Sequence, residues 1–388
     1  MKKSLLSLVA IAAISSSAYA VDVKMSGFIN VVGGINDVDP SKFISGTTST
    51  NYMGYDDKYD FQNESLAALQ FSTNIMDNMG ATVQLIAQND SVDDDIRMEW
   101  GYISYDLNDE IRMLIGRIRP ALFLYSDYLD VGYAYNWITP PAEVYAQANI
   151  SNLDGGSIAY NKDLGEQQVA LTFFGGNSSD KKVNPNSATP LDLEFDSIVG
   201  GEIALMNDYG KIRAGYIQAK VTENSTFGLV PPELQMSEND AAFYGVGITF
   251  DYEDFLFSSE YIVRDMDDTG SPDITSYYAS LGYKVGDFTP TYTYAQADSD
   301  MEFSKTPATA LLPNGTPVMA VVNGARAMNL DDRTSHTLGV RYDVNAQVAL
   351  KFEYNSATVT HSRYAGGTSI TEVDEDINTY RIALNVIF

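Results

Sequence analysis

Residues 379–388 read TYRIALNVIF, and their alternation points to the class of fold. Tyr380, Ile382, Leu384, Val386 and Phe388 fall on one face of an extended strand. Thr379, Arg381, Ala383 and Asn385 fall on the other, because successive strand side chains point to opposite sides. The stretch before it repeats the pattern: Val348, Leu350, Phe352 and Tyr354 alternate with Ala349, Lys351, Glu353 and Asn355. So does the one before that, with Leu338, Val340 and Tyr342 against Thr337, Gly339 and Arg341. A single strand of this kind fits the surface of a β-sandwich. Three in succession, each with a long charged side chain at mid-strand, suit a barrel with lipid outside and water inside.

The same dyad recurs upstream, at Leu69/Phe71, Val83/Leu85/Ala87, Val169/Leu171/Phe173, Val199/Gly201/Ile203/Leu205, Tyr244/Val246/Ile248/Phe250 and Tyr277/Ala279/Leu281/Tyr283. Aromatics gather at the ends of these runs, where interfacial girdles belong. Short turns are expected near Asp77–Asn78, Asn108–Asp109, Asp163–Gly165, Asn207–Gly210, Glu253–Asp254, Gly286–Asp287 and Asn345–Ala346. Longer connections are expected near 37–62, 89–95, 119–150, 176–192, 223–239, 265–273, 298–331 and 362–374. The two kinds alternate, which predicts an all-β transmembrane antiparallel barrel of about sixteen strands with both termini on the periplasmic, short-turn side. Sixteen strands leave an aqueous lumen.

One stretch breaks the alternation. Residues 116–148, GRIRPALFLYSDYLDVGYAYNWITPPAEVYAQA, are too aromatic for a solvated loop and too interrupted by Gly and Pro for a strand. Long loops without regular structure are uncommon in compact folds and usually functional. The third long connection is therefore expected to fold into the barrel.

The chain opens with Lys2 and Lys3, an apolar run from Leu5 to Ile14, and the small-residue site Ala18-Tyr19-Ala20. That is the pattern of a cleaved signal peptide over residues 1–20, leaving one barrel domain over 21–388. The first twenty residues hold two lysines and no acids, so the remainder carries 22 basic and 52 acidic side chains. This balance argues against nucleic acid as a partner, since phosphate contacts need a basic surface. With no cysteine, a disulfide framework and cysteine-ligated zinc are excluded. No cofactor is implied.

The signal peptide, the opening strand Met25-Ser26-Gly27-Phe28-Ile29-Asn30, Gly116-Arg117 at the end of the fifth strand and the terminal Phe388 together resemble the Gram-negative general porins. The resemblance implies a homotrimer of sixteen-stranded barrels in the outer membrane, each narrowed by its third loop and passing small hydrophilic solutes by passive diffusion. It also implies contact with outer-membrane lipid and lipopolysaccharide. In this family a terminal aromatic such as Phe388 resembles the signal read by the barrel-assembly machinery. One departure stands out: the acidic Pro-Glu-Phe-Gly-Gly run of the enterobacterial constriction loop is missing, and Pro140-Pro141-Ala142-Glu143-Val144-Tyr145 stands in the comparable region.

Charge and facing give candidate pore residues. Arg341, Lys351 and Arg381 share inward parity on three consecutive strands and are expected as one basic wall. Arg117 and Arg119 lie where the fifth strand enters the loop, with Arg97 and Arg112 as possible additions. Asp127, Asp130 and Glu143 are the acids of the loop. Basic wall against acidic loop predicts a transverse field across the constriction; the alternative is that the arginines form ladders with Glu353, Glu99 or Glu202. Tyr125, Tyr128, Tyr133, Tyr135, Trp137 and Tyr145 either offer stacking faces to sugar rings, making a substrate-selective channel, or wedge the loop against the wall. His336 is expected to face outward and His361 to open a loop, which leaves no evident catalytic constellation. The acids of 265–273 and 372–376 lack the spacing of a calcium loop and read as solvated surface. A structural or adhesive barrel is the remaining competitor to a channel.

Overall fold

The computed structural model describes residues 22–37, 52–88, 96–148, 150–183, 190–223, 234, 236–267, 271–303, 311–312, 315–330, 332–365 and 369–388. The expected signal peptide lies outside these residues. Sixteen antiparallel strands close into one barrel: β1 (Val23–Asp37), β2 (Leu66–Met76), β3 (Met79–Gln88), β4 (Ile96–Asp106), β5 (Ile111–Ile118), β6 (Leu153–Leu164), β7 (Gln167–Val183) and β8 (Pro190–Asn207) form one half. The other half is β9 (Gly210–Glu223), β10 (Asn239–Tyr252), β11 (Phe255–Met266), β12 (Asp273–Tyr283), β13 (Phe288–Asp300), β14 (Asp332–Asn345), β15 (Val348–Ala365) and β16 (Ser369–Ile387). Each strand pairs with its sequence neighbours and β1 pairs with β16, so no edge is left open. Phe388 fastens the seam, exchanging two backbone hydrogen bonds with Gly27 at 2.8 and 3.0 Å.

The sixteen strands and seven short turns fall where the alternation places them. The facing also follows. Tyr380, Ile382 and Leu384 are exposed on the outer surface while Thr379, Arg381, Ala383 and Asn385 are buried inside. Leu338 and Val340 are likewise outside, and Ser335, Thr337 and Arg341 inside. His336 is exposed on the outer face, as its parity requires.

Two connections differ from expectation. Residues 176–192 and 362–374 are largely ladder: β7 and β8 stay paired out to Val183↔Pro190, and β15 and β16 out to Ala365↔Ser369. Between β15 and β16, polar cross-strand pairs carry the ladder onward. Thr358 donates to Asp376 and Thr360 to Asp374, both at 2.8 Å, which are cross-strand pairs of the kind that stabilise a sheet. His361 therefore sits within a strand, 2.9 Å from the Glu375 carboxylate, and does not open a loop. Among the described residues no cluster of His, Asp or Glu has the geometry to hold a metal ion.

Two local irregularities position the functional loop. A bulge in β4 sets Gln84 opposite Trp100 and Leu85 opposite Met98, so Glu99 is an extra residue. Glu99 and Trp100 both turn inward, which is the re-aiming that bulges produce. At Gly116 the backbone has φ +136°, and a Cβ there would lie 2.4 Å from the Gly101 carbonyl oxygen. Only glycine fits, and two residues later β5 ends after eight residues and the chain turns into the lumen. The inward segment contains one short α-helix, α1 (Ala142–Tyr145), after two single 3-10 turns at Ser126–Tyr128 and Gly132–Ala134. A second helix, α2 (Val318–Met328), belongs to the seventh long connection and packs on β15, burying Val322, Asn323, Arg326 and Ala327.

Candidate functional site

The loop between β5 and β6 is held inside the barrel largely by inward-facing side chains of the wall strands. At its entrance Arg119 lies between Glu99 and Asp130, 2.5 Å from each, with its guanidinium 5.1 Å from the centre of the Trp100 ring. Burial opposes the charge there, but the Asp130 and Glu99 carboxylates outweigh it and hold Arg119 above its ordinary range. Arg213 of β9 donates to the main-chain oxygens of Leu122 and Ala121 at 2.8 and 2.9 Å and pairs with Glu202. Glu260 of β11 accepts from the Leu124 amide at 2.6 Å and from the Tyr145 hydroxyl.

The middle of the loop is fixed by the opposite wall. Lys351 of β15 is fully buried and donates to the carbonyls of Gly132 and Trp137, with Tyr135 beside it at 4.9 Å. Arg341 of β14 donates to the carbonyls of Tyr133 at 2.6 Å and Tyr135 at 3.1 Å and pairs with Asp343. Asn30 of β1 donates to the Asp130 carbonyl at 2.8 Å. Gly132 passes so close to this wall that a Cβ would lie 2.5 Å from the Asn385 amide nitrogen. Further along, Ile138 donates its amide to Glu353 at 2.8 Å, and Arg381 joins Glu353, Glu64 and Thr139 at 2.6 to 2.7 Å. Tyr55 donates to the other Glu64 oxygen at 2.5 Å, and burial followed by the Glu64 charge raises its hydroxyl pKa far above the ordinary value.

Arg341, Lys351 and Arg381 are thus neighbours on one inner wall, as parity predicts: Arg341 pairs with Lys351 across β14–β15, and Glu353 with Arg381 across β15–β16. They do not present an open basic surface. The loop covers them, and all three are buried. The ladder alternative describes the arginines better, since Arg119 pairs with Glu99, Arg213 with Glu202 and Arg381 with Glu353.

The loop's own candidates divide. Asp127 is exposed, and Asp130 is mostly engaged by Arg119. Glu143 is fully buried in α1 and offers no charge to the lumen surface. Arg117 is a correction to the expected constriction. It shares parity with Ile115, which is 65% exposed on the outer face, and it forks onto Asp154 at 2.8 and 2.9 Å on that face. Arg112 does face inward, paired with Asp106 at 2.6 Å, and Arg97 is inward beside Glu99 at 3.2 Å. Tyr133 stacks under Arg341 at 4.7 Å. Tyr125, Tyr135 and Trp137 are buried, Trp137 donating to Thr293 at 2.8 Å and Tyr125 to Ser258 at 2.9 Å. Edge-to-face contacts at 5.5 Å link Trp137 to Tyr125 and Tyr278. These rings wedge the loop; of the six, Tyr128 is the most exposed.

Sequence reasoning missed Arg213, Glu260, Asn30 and Glu64. The first two were within reach. Each is a charged residue at inward parity in mid-strand, which is the rule that finds Arg341, Lys351 and Arg381.

A closed sixteen-stranded barrel with its third loop clamped inside has the form of a diffusion channel, and the sequence agrees. The model of the Gram-negative porin family matches residues 7–379. The chain belongs to the Gram-negative porin family. It is an outer-membrane protein forming a water-filled channel, and the family and fold indicate a channel rather than an enzyme. No curated protein matches the sequence. Among solved structures the porin is similar to the outer membrane channel DcaP of Acinetobacter baumannii, with 13% identity, TM-score 0.57, and 96% and 99% of the two chains covered. It is also similar to OmpT of Vibrio cholerae in its trimer form, with 12% identity, TM-score 0.55, and 95% and 100% covered. The anion-selective porin of Comamonas acidovorans is a third, with 14% identity, TM-score 0.56, and 95% and 99% covered. At these identities the likeness is one of fold.

Proposed function

We propose that the porin works as a homotrimer of general diffusion channels with a mild preference for cations, seated in outer-membrane lipid and lipopolysaccharide and inserted by the barrel-assembly machinery. The observation that carries the selectivity is the covering of the basic wall. Arg341, Lys351 and Arg381 are buried beneath the loop, while Asp127 is exposed on it and Asp343 is 41% exposed beside Arg341. Charges that line a narrow passage govern ions more strongly than charges a Debye length of about 8–10 Å away. Solutes are small and hydrophilic, and the buried loop aromatics favour this over a saccharide slide. A trimer is supported by the trimer form of the Vibrio cholerae relative.

Planar bilayers with the purified porin test the reading. Stepwise conductance in KCl is expected, with reversal potentials across a KCl gradient that indicate cation preference and shrink as mean salt rises. Anion preference at both low and high mean salt would overturn the selectivity. Absence of conductance would return the protein to a structural or adhesive role.

A further inference from the structure

Glu64 differs from the other anchors of the inward loop. Arg213, Glu260, Arg341, Lys351 and Glu353 stand on wall strands, whereas Glu64 lies two residues before β2, at the end of the first long connection. The described part of that connection, residues 52–64, is folded on itself and onto β1. Asn63 donates to the Met53 carbonyl at 2.8 Å, across a turn in which Gly54 has φ +78°. Gly34 and Asp60 exchange backbone hydrogen bonds at 2.9 and 3.0 Å, and the main-chain N–H of Asn36 donates to the Asp56 carbonyl at 2.8 Å. Tyr55 is fully buried against the inner face of β1, where a Cβ on Gly34 would lie 2.4 Å from its ring. The hydroxyl of that ring donates to Glu64 at 2.5 Å.

The same carboxylate receives the inward loop. Its other oxygen accepts from Thr139 at 2.9 Å and from Arg381 at 2.7 Å, and Arg381 also donates to the Thr139 hydroxyl oxygen at 2.7 Å. Thr139 is followed by Pro140 and Pro141, which have no N–H to donate and a fixed φ. Here the loop leaves the β16 side of the wall for α1, whose Tyr145 meets Glu260 on β11. The direction of this arm is therefore set at Thr139, and the Thr139 hydroxyl is held by a carboxylate that Tyr55 and Arg381 hold in turn. We propose that Tyr55 and Glu64 are positioning residues for the constriction. The first long connection braces the arm and so fixes part of the pore's cross-section from the long-connection side of the barrel. The proposal rests on the channel reading and names a second connection, besides the inward loop itself, that sets the width.

The test records single-channel KCl currents of the full-length porin in planar bilayers, with heat modifiability on gels showing that each variant is folded. Tyr55→Phe keeps the buried ring and removes the hydroxyl; Thr139→Val keeps the volume and removes the other donor. Each is expected to lengthen the time spent in a second, larger conductance level by at least about tenfold, the population shift that follows loss of one hydrogen bond to a carboxylate. Combining the two should add little to either, because both break the same link. Thr139→Ser retains the hydroxyl and should give parental traces. Gly34→Ala displaces the ring and should behave like Tyr55→Phe. Phe61 belongs to the same segment but covers Gly33, on the outer face that carries Ile29 and Val31, so Phe61→Ala should leave the currents unchanged. A folded Tyr55→Phe porin with parental currents, full additivity in the double variant, or an equal effect of Phe61→Ala would overturn the proposal with the channel intact. A protein silent in KCl would remove the channel reading itself, and this inference with it.

Discussion

Lys351 extends from the barrel wall to the main-chain oxygen of Trp137, 2.5 Å away, although the two residues are 214 positions apart in sequence. The same ammonium donates to Gly132, so one wall side chain fixes two points of the loop that narrows the lumen. Replacing it by methionine keeps the volume and leaves two buried carbonyls without their donor, at a cost of about 1–3 kcal/mol each. Lys351→Met should therefore leave the barrel folded and the loop loosened. Larger and noisier single-channel conductance is expected, with normal heat modifiability on gels. A variant whose conductance and noise equal those of the parent would show that Lys351 does not set the constriction.

Selectivity should follow exposure. Asp127→Asn and Asp343→Asn are each expected to reduce cation preference in reversal-potential measurements at low salt. Glu143→Gln should leave it unchanged, because that carboxyl is buried in α1. If Glu143→Gln moved the reversal potential as far as Asp127→Asn, the assignment of the lumen surface would be wrong.

Arg117 and Asp154 pair on the outer face, close to the middle of β4 through the Arg117↔Gly101 register. An arginine exposed to lipid near the bilayer midplane costs about 2–4 kcal/mol, so a neighbouring protomer is the cover we expect. Arg117→Ala and Asp154→Ala should leave the current per pore unchanged and lower the temperature at which oligomers dissociate on gels. Equal dissociation temperatures for parent and both variants would place the protomer contact elsewhere on the barrel.

Phe388 is half exposed, yet its backbone closes the seam and its ring covers Gly27, where a Cβ would lie 2.7 Å from it. Deletion of Phe388 should leave export intact and lower the amount of heat-modifiable barrel in the outer membrane, while Phe388→Tyr assembles normally. Wild-type levels of folded protein in the deletion would reduce the residue to one more girdle aromatic.

Alkaline pH should release the loop. Burial, first among the causes, raises the hydroxyl pKa values of Tyr125, Tyr135 and Tyr145 far above the ordinary tyrosine value of about 10. A raised folded-state pKa means the unfolded chain binds fewer protons once pH exceeds 10. Stability is then complete below that pH and falls as pH rises through it. Thermal unfolding midpoints should stay level up to about pH 9 and drop beyond pH 10. A Tyr125→Phe, Tyr135→Phe double variant should flatten the drop. A midpoint equally steep in parent and variant would assign the alkaline sensitivity to other groups.

The barrel was legible because period-two alternation is local. Tyr380 to Phe388 display their facing within ten residues, and nothing distant is needed to read it. The inward parity of Arg341, Lys351 and Arg381 was legible for the same reason. What they touch was not, since Lys351 meets its partners through chain reversals more than 200 residues long. Arg117 was misplaced because position near a loop was read before parity, which would have put it beside Ile115 on the outer face. The β4 bulge at Glu99 hid one anchor, as a single inserted residue shifts facing without changing composition. The helix α2 left a signal that period-two reading overlooks: Val318, Val322 and Arg326 recur every fourth residue.

Most of the clamps in this porin close on main-chain atoms. Arg213 grips the oxygens of Ala121 and Leu122, Arg341 those of Tyr133 and Tyr135, Lys351 those of Gly132 and Trp137, and Asn30 that of Asp130. Every residue type carries a carbonyl, so the wall recognises the path of the loop with little regard to its spelling. Side chains on the lumen edge, such as Asp127, Tyr128 and Ala134, are free to be exchanged while the cradle stays in place. The pore's taste for solutes can drift, or be redesigned, independently of the hardware that keeps it narrow.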